Sequence, residues 1–175
     1  MTMDKQYTYR YPHPAVTTDC VVFGFDGVKL NVLLVERGNE PYKGAWAFPG
    51  GFLDIDEDAP DGARRELLEE TGLQVTNIEQ LGAFTRPDRD PRERVISIAF
   101  FTLARTCPVS GADDAARAQW FPIDRVPQLA FDHRLIFEQA QERMSHYLKL
   151  KTGNFLSDDF NYDEIDMIYY ATLTR

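Results

Sequence analysis

The chain has 175 residues, of which 43% are hydrophobic and 13% aromatic, a composition that supports one folded domain with a hydrophobic core. Its 28 acidic and 19 basic residues give a formal net charge of −9, which excludes nucleic-acid binding through bulk charge attraction. No apolar run is long enough to cross a bilayer, and the N-terminal residues do not resemble a secretory leader. Cys20 and Cys107 are far apart in the sequence, which is typical of unpaired cysteines in a reducing compartment. We therefore expect a cytoplasmic protein with no membrane or nucleic-acid partner.

The first fifty residues predict an arm followed by a β-hairpin. Residues 1–14 are polar and aromatic with two prolines, which is typical of a surface arm. β-Branched and aromatic residues predict a strand over Ala15–Phe25. The dipeptide Asp26-Gly27 then indicates a tight turn into a second strand over Lys29–Gly38, and residues 39–50 form a loop or a short strand.

A helix is predicted within residues 58–71. Asp58 is a suitable N-cap, and Pro60 falls in the first turn, where its missing N–H is harmless. Gly72 follows the last turn, where a left-handed residue commonly ends a helix. The helix therefore has start and stop signals at both ends.

The second half of the chain predicts further strands and one more helix. These elements are strands over Gln74–Thr85, Arg94–Ala104 and Arg117–Ile123 and a helix over Asp132–Lys149. This order predicts a mixed α/β sandwich rather than a regular βαβ sheet. We divide the chain into the arm, a domain over residues 15–150, and an extension over residues 151–175 for which no structure is predicted.

Three glutamates share one face of the first helix. At about 100° per residue, Glu66, Glu69 and Glu70 fall within a sector of roughly 100°. Like charges at this spacing repel each other, and Mg²⁺ or Mn²⁺ would compensate them through oxygen ligands. Gly50 and Gly51 would let the backbone approach such a ligand. A solvated acidic helix face is the alternative interpretation of the same pattern.

The apolar residues of the same helix define its other side. Ala63 and Leu67 lie beside the acidic sector, and Leu68 lies further round. We expect these three residues to face the core.

The spacing from Gly51 to Leu73 resembles the signature of the Nudix hydrolase family, G-x5-E-x7-R-E-U-x-E-E-x-G-U, where U is a bulky aliphatic residue. All nine defined positions match; they are Gly51, Glu57, Arg65, Glu66, Leu67, Glu69, Glu70, Gly72 and Leu73. The resemblance implies an α/β/α sandwich with a mixed sheet and an enzyme that hydrolyses a nucleoside diphosphate linked to another group.

The resemblance also implies roles for the motif residues. Glu66 and Glu70 are the leading Mg²⁺ ligands, with Mn²⁺ as the alternative ion, and Glu69 is a third or water-mediated ligand. Gly50 or Gly51 adds a carbonyl oxygen. Catalytic roles also extend to Arg65, which pairs with Glu57 or Glu69, and to Glu57, which reaches a metal in some family members. The general base is either a motif glutamate or a later acid, with Asp113, Asp114 and Glu93 as candidates.

Two further stretches, residues 85–101 and 118–133, resemble the ADP-ribose pyrophosphatase branch and the Nudix domain of regulators of NAD metabolism. This resemblance implies hydrolysis of ADP-ribose to AMP and ribose 5-phosphate. The alternatives are a nucleoside triphosphate, a dinucleoside polyphosphate, NADH, a nucleotide sugar or a phosphorylated sugar, or a non-catalytic ADP-ribose-binding regulator. The 25 residues after Leu150 are too few for a DNA-reading winged helix.

Substrate contacts are expected from a loop dense in arginine. Guanidinium groups suit phosphate oxygens, although a charged surface loop would explain the same arginines equally well. The four arginines of this loop are Arg86, Arg89, Arg92 and Arg94. Phe84 or Phe131 could stack on the base, with core packing as the alternative, and His133 is expected to be a surface or structural residue rather than a substrate contact. By analogy with related enzymes, an arm containing Tyr7, Tyr9 and Tyr11 forms part of a homodimer.

Overall fold

The computed structural model describes residues 7–152 and 159–173. Seven strands form one sheet: β1 Ala15–Phe25, β2 Leu30–Arg37, β3 Trp46–Ala47, β4 Gly50–Phe52, β5 Glu79–Phe84, β6 Val95–Arg105 and β7 Ala115–Pro122. The helices are α1 Ala59–Thr71, α2 His133–Leu150 and α3 Tyr162–Thr172, and a 3₁₀ turn covers Ile123–Arg125. Within the described residues, no helix is long and apolar enough to cross a membrane.

The sheet is mixed and has β1 at its centre. β1 pairs in parallel with β6 along its whole length and antiparallel with β2 and β4. β5 extends the sheet beyond β6, while β3 and β7 both pair antiparallel with β2. β4 carries the paired glycines and lies beside the first half of β1, which places these glycines next to the helix that follows them in the chain.

Helices cover both faces of the sheet, so the fold is an α/β/α sandwich. Alternate residues of β1 point to opposite faces. Val21 and Phe23 pack in a cluster with residues of α2 and α3. Cys20 and Val22 pack in a second cluster with Leu67 of α1. The predicted fold class is confirmed.

Helix α1 follows its predicted signals. Asp58 is extended at the N-terminus, and Gly72 ends the helix at φ 72°, with its N–H donating to the carbonyl of Leu68. Ala63 and Leu67 are buried as expected. The expectation for Leu68 was wrong: it is 46% exposed, because it lies about 100° round the helix from Leu67, away from the buried face.

The other predicted elements differ at their ends. β5 begins only at Glu79, so residues 74–78 precede the strand, and β7 extends from Ala115 to Pro122. Helix α3 falls in the extension for which no structure was predicted. Its N-terminus is a capping box in which Asn161 and Glu164 bond each other's backbone N–H, and its Ile165 and Ile168 are buried in the core.

Candidate active site

Arg65 connects the acidic side chains of α1 to each other and to the preceding loop. Its Nε and Nη2 donate to the two carboxylate oxygens of Glu57, both at 2.9 Å. Its Nη1 donates to Glu66 at 2.8 Å and to Glu69 at 3.1 Å, and Nη2 also reaches the carbonyl of Phe52. The bond from Arg65 lowers the pKa of Glu57. One guanidinium therefore fixes the positions of three carboxylates relative to the end of β4.

Glu70 lies on the inner side of α1 and is almost fully buried. Its Oε2 accepts a hydrogen bond from the backbone N–H of Gly50 at 2.9 Å. Burial raises the pKa of Glu70 to about 8, and the nearby charges of Glu66, Asp19 and Asp114 act in the same direction. Burial also raises the pKa of Glu66. Two carboxylates thus face β4 where solvent stabilises their charge poorly.

The two glycines of β4 are required by close approach. A Cβ atom at Gly51 would lie 2.4 Å from Oε1 of Glu66, and one at Gly50 would lie 2.1 Å from the carbonyl oxygen of Thr18. Gly62 has a related role on the helix, because a Cβ there would lie 2.9 Å from Oε2 of Glu57. Small residues at these positions leave room for the carboxylates.

The donor chemistry of this region fits a hard divalent cation. Within residues 7–152 and 159–173, no three acidic, histidine or cysteine side chains converge into a complete metal cage. Mg²⁺ does not require one, because it is usually held by one or two protein carboxylates, with water and substrate phosphates completing its shell. Glu66 and Glu70, facing the two glycines of β4, provide such an open set of oxygens.

A cavity of about 140 Å³ opens beside these acids. Gly50, Gly51 and Glu70 line one end of it. The remaining walls come from β1, β2, the loop after β2 and the start of α2; among their residues are Asp19, Arg37, Asn39, Phe48, Phe131 and His133. The cavity therefore joins the acidic helix to residues distant in sequence.

A buried polar network supports the cavity wall. The Ser97 hydroxyl donates to Asp19, and Nε2 of His133 lies 3.5 Å from the same carboxylate. Nδ1 of His133 accepts a hydrogen bond from the N–H of Phe48 at 3.0 Å, so the ring proton belongs on Nε2, facing Asp19. Burial lowers the pKa of His133. The network fixes the segment that leads from Phe48 into β4.

Comparison with known proteins agrees with this geometry. The model of the NUDIX domain matches residues 13–140. The chain belongs to the Nudix family. It is 39% identical to an ADP-ribose pyrophosphatase of Methanocaldococcus jannaschii, over 82% of this chain and 78% of that protein.

Two further relatives respond to ADP-ribose or were solved in complex with it. The chain is 33% identical to the ADPR responsive transcriptional repressor NtrR of Acinetobacter baylyi, over 78% of this chain but only 56% of the repressor. The NUDIX domain of Shewanella oneidensis NrtR, solved in complex with ADP ribose, superposes with a TM-score of 0.73 at 33% identity, covering 77% of this chain and 90% of that one. The Nudix domain and the pyrophosphatase relative identify this chain as a Nudix hydrolase.

The Nudix helix α1 carries the predicted motif residues as a connected group. The predicted pairing of Arg65 with Glu57 or Glu69 occurs with both. Glu69 differs from the other two glutamates of the acidic face because its side chain points toward solvent. A role for Glu69 at a metal would therefore require it to act from the rim of the site.

The arginine-rich loop contributes less to the cavity than predicted. Arg86 is exposed and pairs with Asp88, and Arg94 donates to the carbonyl of Arg86; neither lines the cavity. Arg89 and Arg92 do line it. The loop folds so that only two of its four arginines reach the site.

The prediction that Phe84 stacks on the base was wrong. Phe84 is 7% exposed and packs in the main hydrophobic cluster, on the face of the sheet opposite α1. The alternative, core packing, is correct for this residue. Phe131 lines the cavity instead. His133, expected to be structural, is buried in the polar network and also lines the cavity.

The candidate general bases occupy different places. Asp114 lines the cavity and accepts a hydrogen bond from the side chain of Asn39 at 3.0 Å. Asp113 lies at the preceding turn with φ 52° and does not line the cavity. Glu93 lies in a separate groove beside the N-terminal arm. Of these three acids, only Asp114 lines the cavity.

Sequence reasoning missed several residues of this cavity, among them Asp19 and Arg37. The signal for Asp19 was available, because a carboxylate inside an apolar strand requires partners. No comparable signal marked Arg37, which ends the hairpin strand β2.

Proposed function

We propose that this Nudix hydrolase cleaves the diphosphate of ADP-ribose in the presence of Mg²⁺ and produces AMP and ribose 5-phosphate. The observation that carries the proposal is the position of Glu66 and Glu70 against the glycines of β4, where Glu70 and both glycines line the cavity. The pyrophosphatase relative and the ADP-ribose complex of the NrtR domain support the choice of substrate.

Mg²⁺ would be held by Glu66 and Glu70, and Glu69 and a carbonyl oxygen of Gly50 or Gly51 would complete the ligand set. Mn²⁺ would bind to the same oxygen ligands. When bound, the ion neutralises phosphate charge and lowers the pKa of a water ligand. Arg65 keeps Glu66 and Glu69 in position through its bonds at 2.8 and 3.1 Å. Fixed carboxylates need no rearrangement when the substrate arrives.

Asp114 is the general base that we propose first. It lines the same cavity as Glu70, and its bond from Asn39 orients the carboxylate. A base in this position would accept a proton from the attacking water. The motif glutamates are less suitable, because Glu57 is held at both oxygens by Arg65 and Glu70 by Gly50. Turnover of Asp114→Asn should fall at least 100-fold.

A substrate panel tests the proposal. Purified protein with Mg²⁺ would receive ADP-ribose, a nucleoside triphosphate, a dinucleoside polyphosphate, NADH and a nucleotide sugar, with products separated by chromatography. We expect AMP and ribose 5-phosphate from ADP-ribose, and a large loss of both in Glu66→Gln. Release of pyrophosphate from a triphosphate, with ADP-ribose inert, would overturn the substrate assignment.

A non-catalytic ADP-ribose-binding regulator is the second candidate, and it is favoured by the repressor relatives. It predicts binding of ADP-ribose without turnover at any divalent metal concentration. The complete set of contacts around Arg65 favours the enzyme. Absence of nucleic-acid binding is part of our proposal and rests on the charge of −9; a mobility-shift assay with duplex DNA tests it.

We also propose a cytoplasmic homodimer in which the arm covers the partner. Tyr7, Tyr9 and Tyr11 are all exposed, and the arm borders a groove lined by the apolar residues Phe52 and Ile55. Exposed aromatic side chains beside an apolar groove are typical of an interface. Analytical ultracentrifugation should give a dimer, and replacement of the three tyrosines by serine should give a monomer.

A further inference from the structure

Three arginines line the Nudix cavity, and within the described residues only one of them has no carboxylate partner. Arg89 contacts both carboxylate oxygens of Asp132, at 3.1 and 2.8 Å. Arg92 contacts both oxygens of Asp90, at 3.0 and 2.7 Å. Arg37 donates from Nε to the carbonyl of Pro41 at 2.8 Å. Among the residues that the structure describes, its Nη1 and Nη2 make no hydrogen bond or ion pair.

The guanidinium of Arg37 is held in place although its charge is unpaired. Its Cζ lies 4.8 Å from the ring centroid of Phe131, and Tyr42 contacts the same ring edge-on at 4.7 Å. Phe131 and Tyr42 both have left-handed backbone, with φ 51° and 63°. Bulky residues rarely adopt this conformation, and such strain is concentrated at ligand sites. The aromatic pair thus orients a cation at the cavity wall.

The surroundings of Arg37 favour an additional anion. The residue is half-buried, and this burial lowers the pKa of its guanidinium. The positive charge of Arg92 lowers the pKa further, whereas the acids Glu70, Asp90 and Asp114 raise it. A partly desolvated cation without a partner is costly, and a charge-assisted bond to an anion removes that cost. A planar guanidinium with free terminal N–H groups matches phosphate oxygens best.

We propose that Arg37 binds a phosphate oxygen of the substrate's diphosphate, in the cavity that Glu70 of the Nudix helix also lines. Glu66 and Glu70 would hold the metal ion that neutralises one phosphate, and Arg37 would contact the other. Arg37 thereby selects substrates with a diphosphate bridge. This inference rests on the proposed function and assigns to Arg37 the role expected of the loop arginines.

The test separates phosphate binding from other roles of Arg37. The variants are Arg37→Ala and Arg37→Lys, with Arg86→Ala as the matched control, since Arg86 is an exposed arginine off the cavity. Calorimetry in Mg²⁺ measures binding of inorganic pyrophosphate and of adenosine, and steady-state kinetics measure kcat and KM for ADP-ribose. Circular dichroism and thermal unfolding establish that each variant is folded.

We expect Arg37→Ala to weaken pyrophosphate binding about 10- to 100-fold and to lower kcat/KM for ADP-ribose by a similar factor. Arg37→Lys should recover part of each loss because it keeps the charge, and adenosine binding and the control should not change. If Arg37→Ala binds pyrophosphate as the wild type does, or loses adenosine equally, the inference is wrong. If pyrophosphate binding depends on Arg37 while ADP-ribose is inert, the inference stands and the proposed substrate fails.

Discussion

Replacement of Glu70 by Gln should uncouple the stability of the Nudix helix from its activity. Gln keeps the oxygen that accepts the Gly50 N–H bond and removes a carboxylate that is only 7% exposed. We expect turnover to fall by several orders of magnitude, because a leading metal ligand is lost. An interpretation of Glu70 as an exposed helix acid would predict no effect on stability, but the burial of its side chain predicts a pH-dependent one.

The sign of this effect follows from the raised pKa. The carboxyl of Glu70 ionises near 4.5 in the unfolded chain and near 8 in the folded protein. Between these values the folded protein holds a proton that the unfolded chain has released, so the free energy of unfolding falls as pH rises. Integrated between about pH 6.5 and 8.5, the loss is about 2 kcal/mol. Below about pH 6.5 the lowered pKa of His133 contributes a slope of the opposite sign, which offsets that of Glu70.

Urea unfolding in a metal chelator measures this loss. With a denaturant slope of about 1–3 kcal/mol/M, the midpoint of the wild type should fall by roughly 1 M urea between pH 6.5 and 8.5. The midpoint of Glu70→Gln should change little. Addition of Mg²⁺ at the higher pH should stabilise the wild type but not the variant, since only the wild type has the full ligand set.

Glu138→Gln is the matched control, because Glu138 is an exposed glutamate of α2 far from the cavity. It should retain both the wild-type slope and the wild-type turnover. Equal pH slopes in the wild type and Glu70→Gln would refute the argument from burial. Full activity in Glu70→Gln would refute the ligand assignment.

Three further predictions concern the neighbouring residues. Gly51→Ala should lower kcat/KM at least 100-fold, because its Cβ would lie 2.4 Å from Glu66 Oε1; wild-type kinetics would contradict this close approach. Arg65→Lys should lower turnover about 10- to 100-fold, since Lys cannot hold Glu57 at both oxygens, and unchanged turnover would contradict that role. His133→Gln should gain stability relative to the wild type as the pH falls below about 6.5, as measured by urea unfolding, because the unfolded wild-type histidine binds a proton more readily than the buried one; a constant difference between the two proteins would count against it.

Local signals in the sequence explain why much of the fold could be predicted. β1 was predicted over its full observed length because its β-branched and aromatic residues end at a clear turn. Helix α3 was missed, although Asn161 and Glu164 have the spacing of a capping box. Its Ile165 and Ile168 are buried only because α3 packs against the rest of the domain, and such a contact has no local signature.

The same distinction divides the predicted site. The contacts of Glu66 and Glu70 with β4 follow from one short motif, since helix periodicity and the glycine pair place them close together. The opposite wall is assembled from β1, β2 and the start of α2, so Asp19 and His133 meet only through the tertiary fold. Charge density alone led to the prediction that the loop over residues 85–94 contacts the substrate. Its arginines are abundant, but Arg86 and Arg92 each pair with an acid two residues away.

Strand geometry explains why Arg37 is left for a ligand although Glu36 and Glu40 lie close in sequence. Neighbouring residues of a strand point to opposite faces. Glu36 therefore points away from the Arg37 side and pairs with Arg117 of β7, which lies directly opposite it. Arg37 turns its guanidinium toward Phe131 and the cavity, where no carboxylate contacts it within the described residues. A cation that its own strand does not neutralise thus lines the same cavity as Glu70 of the Nudix helix, and a diphosphate that also binds a metal is the ligand whose charge complements both.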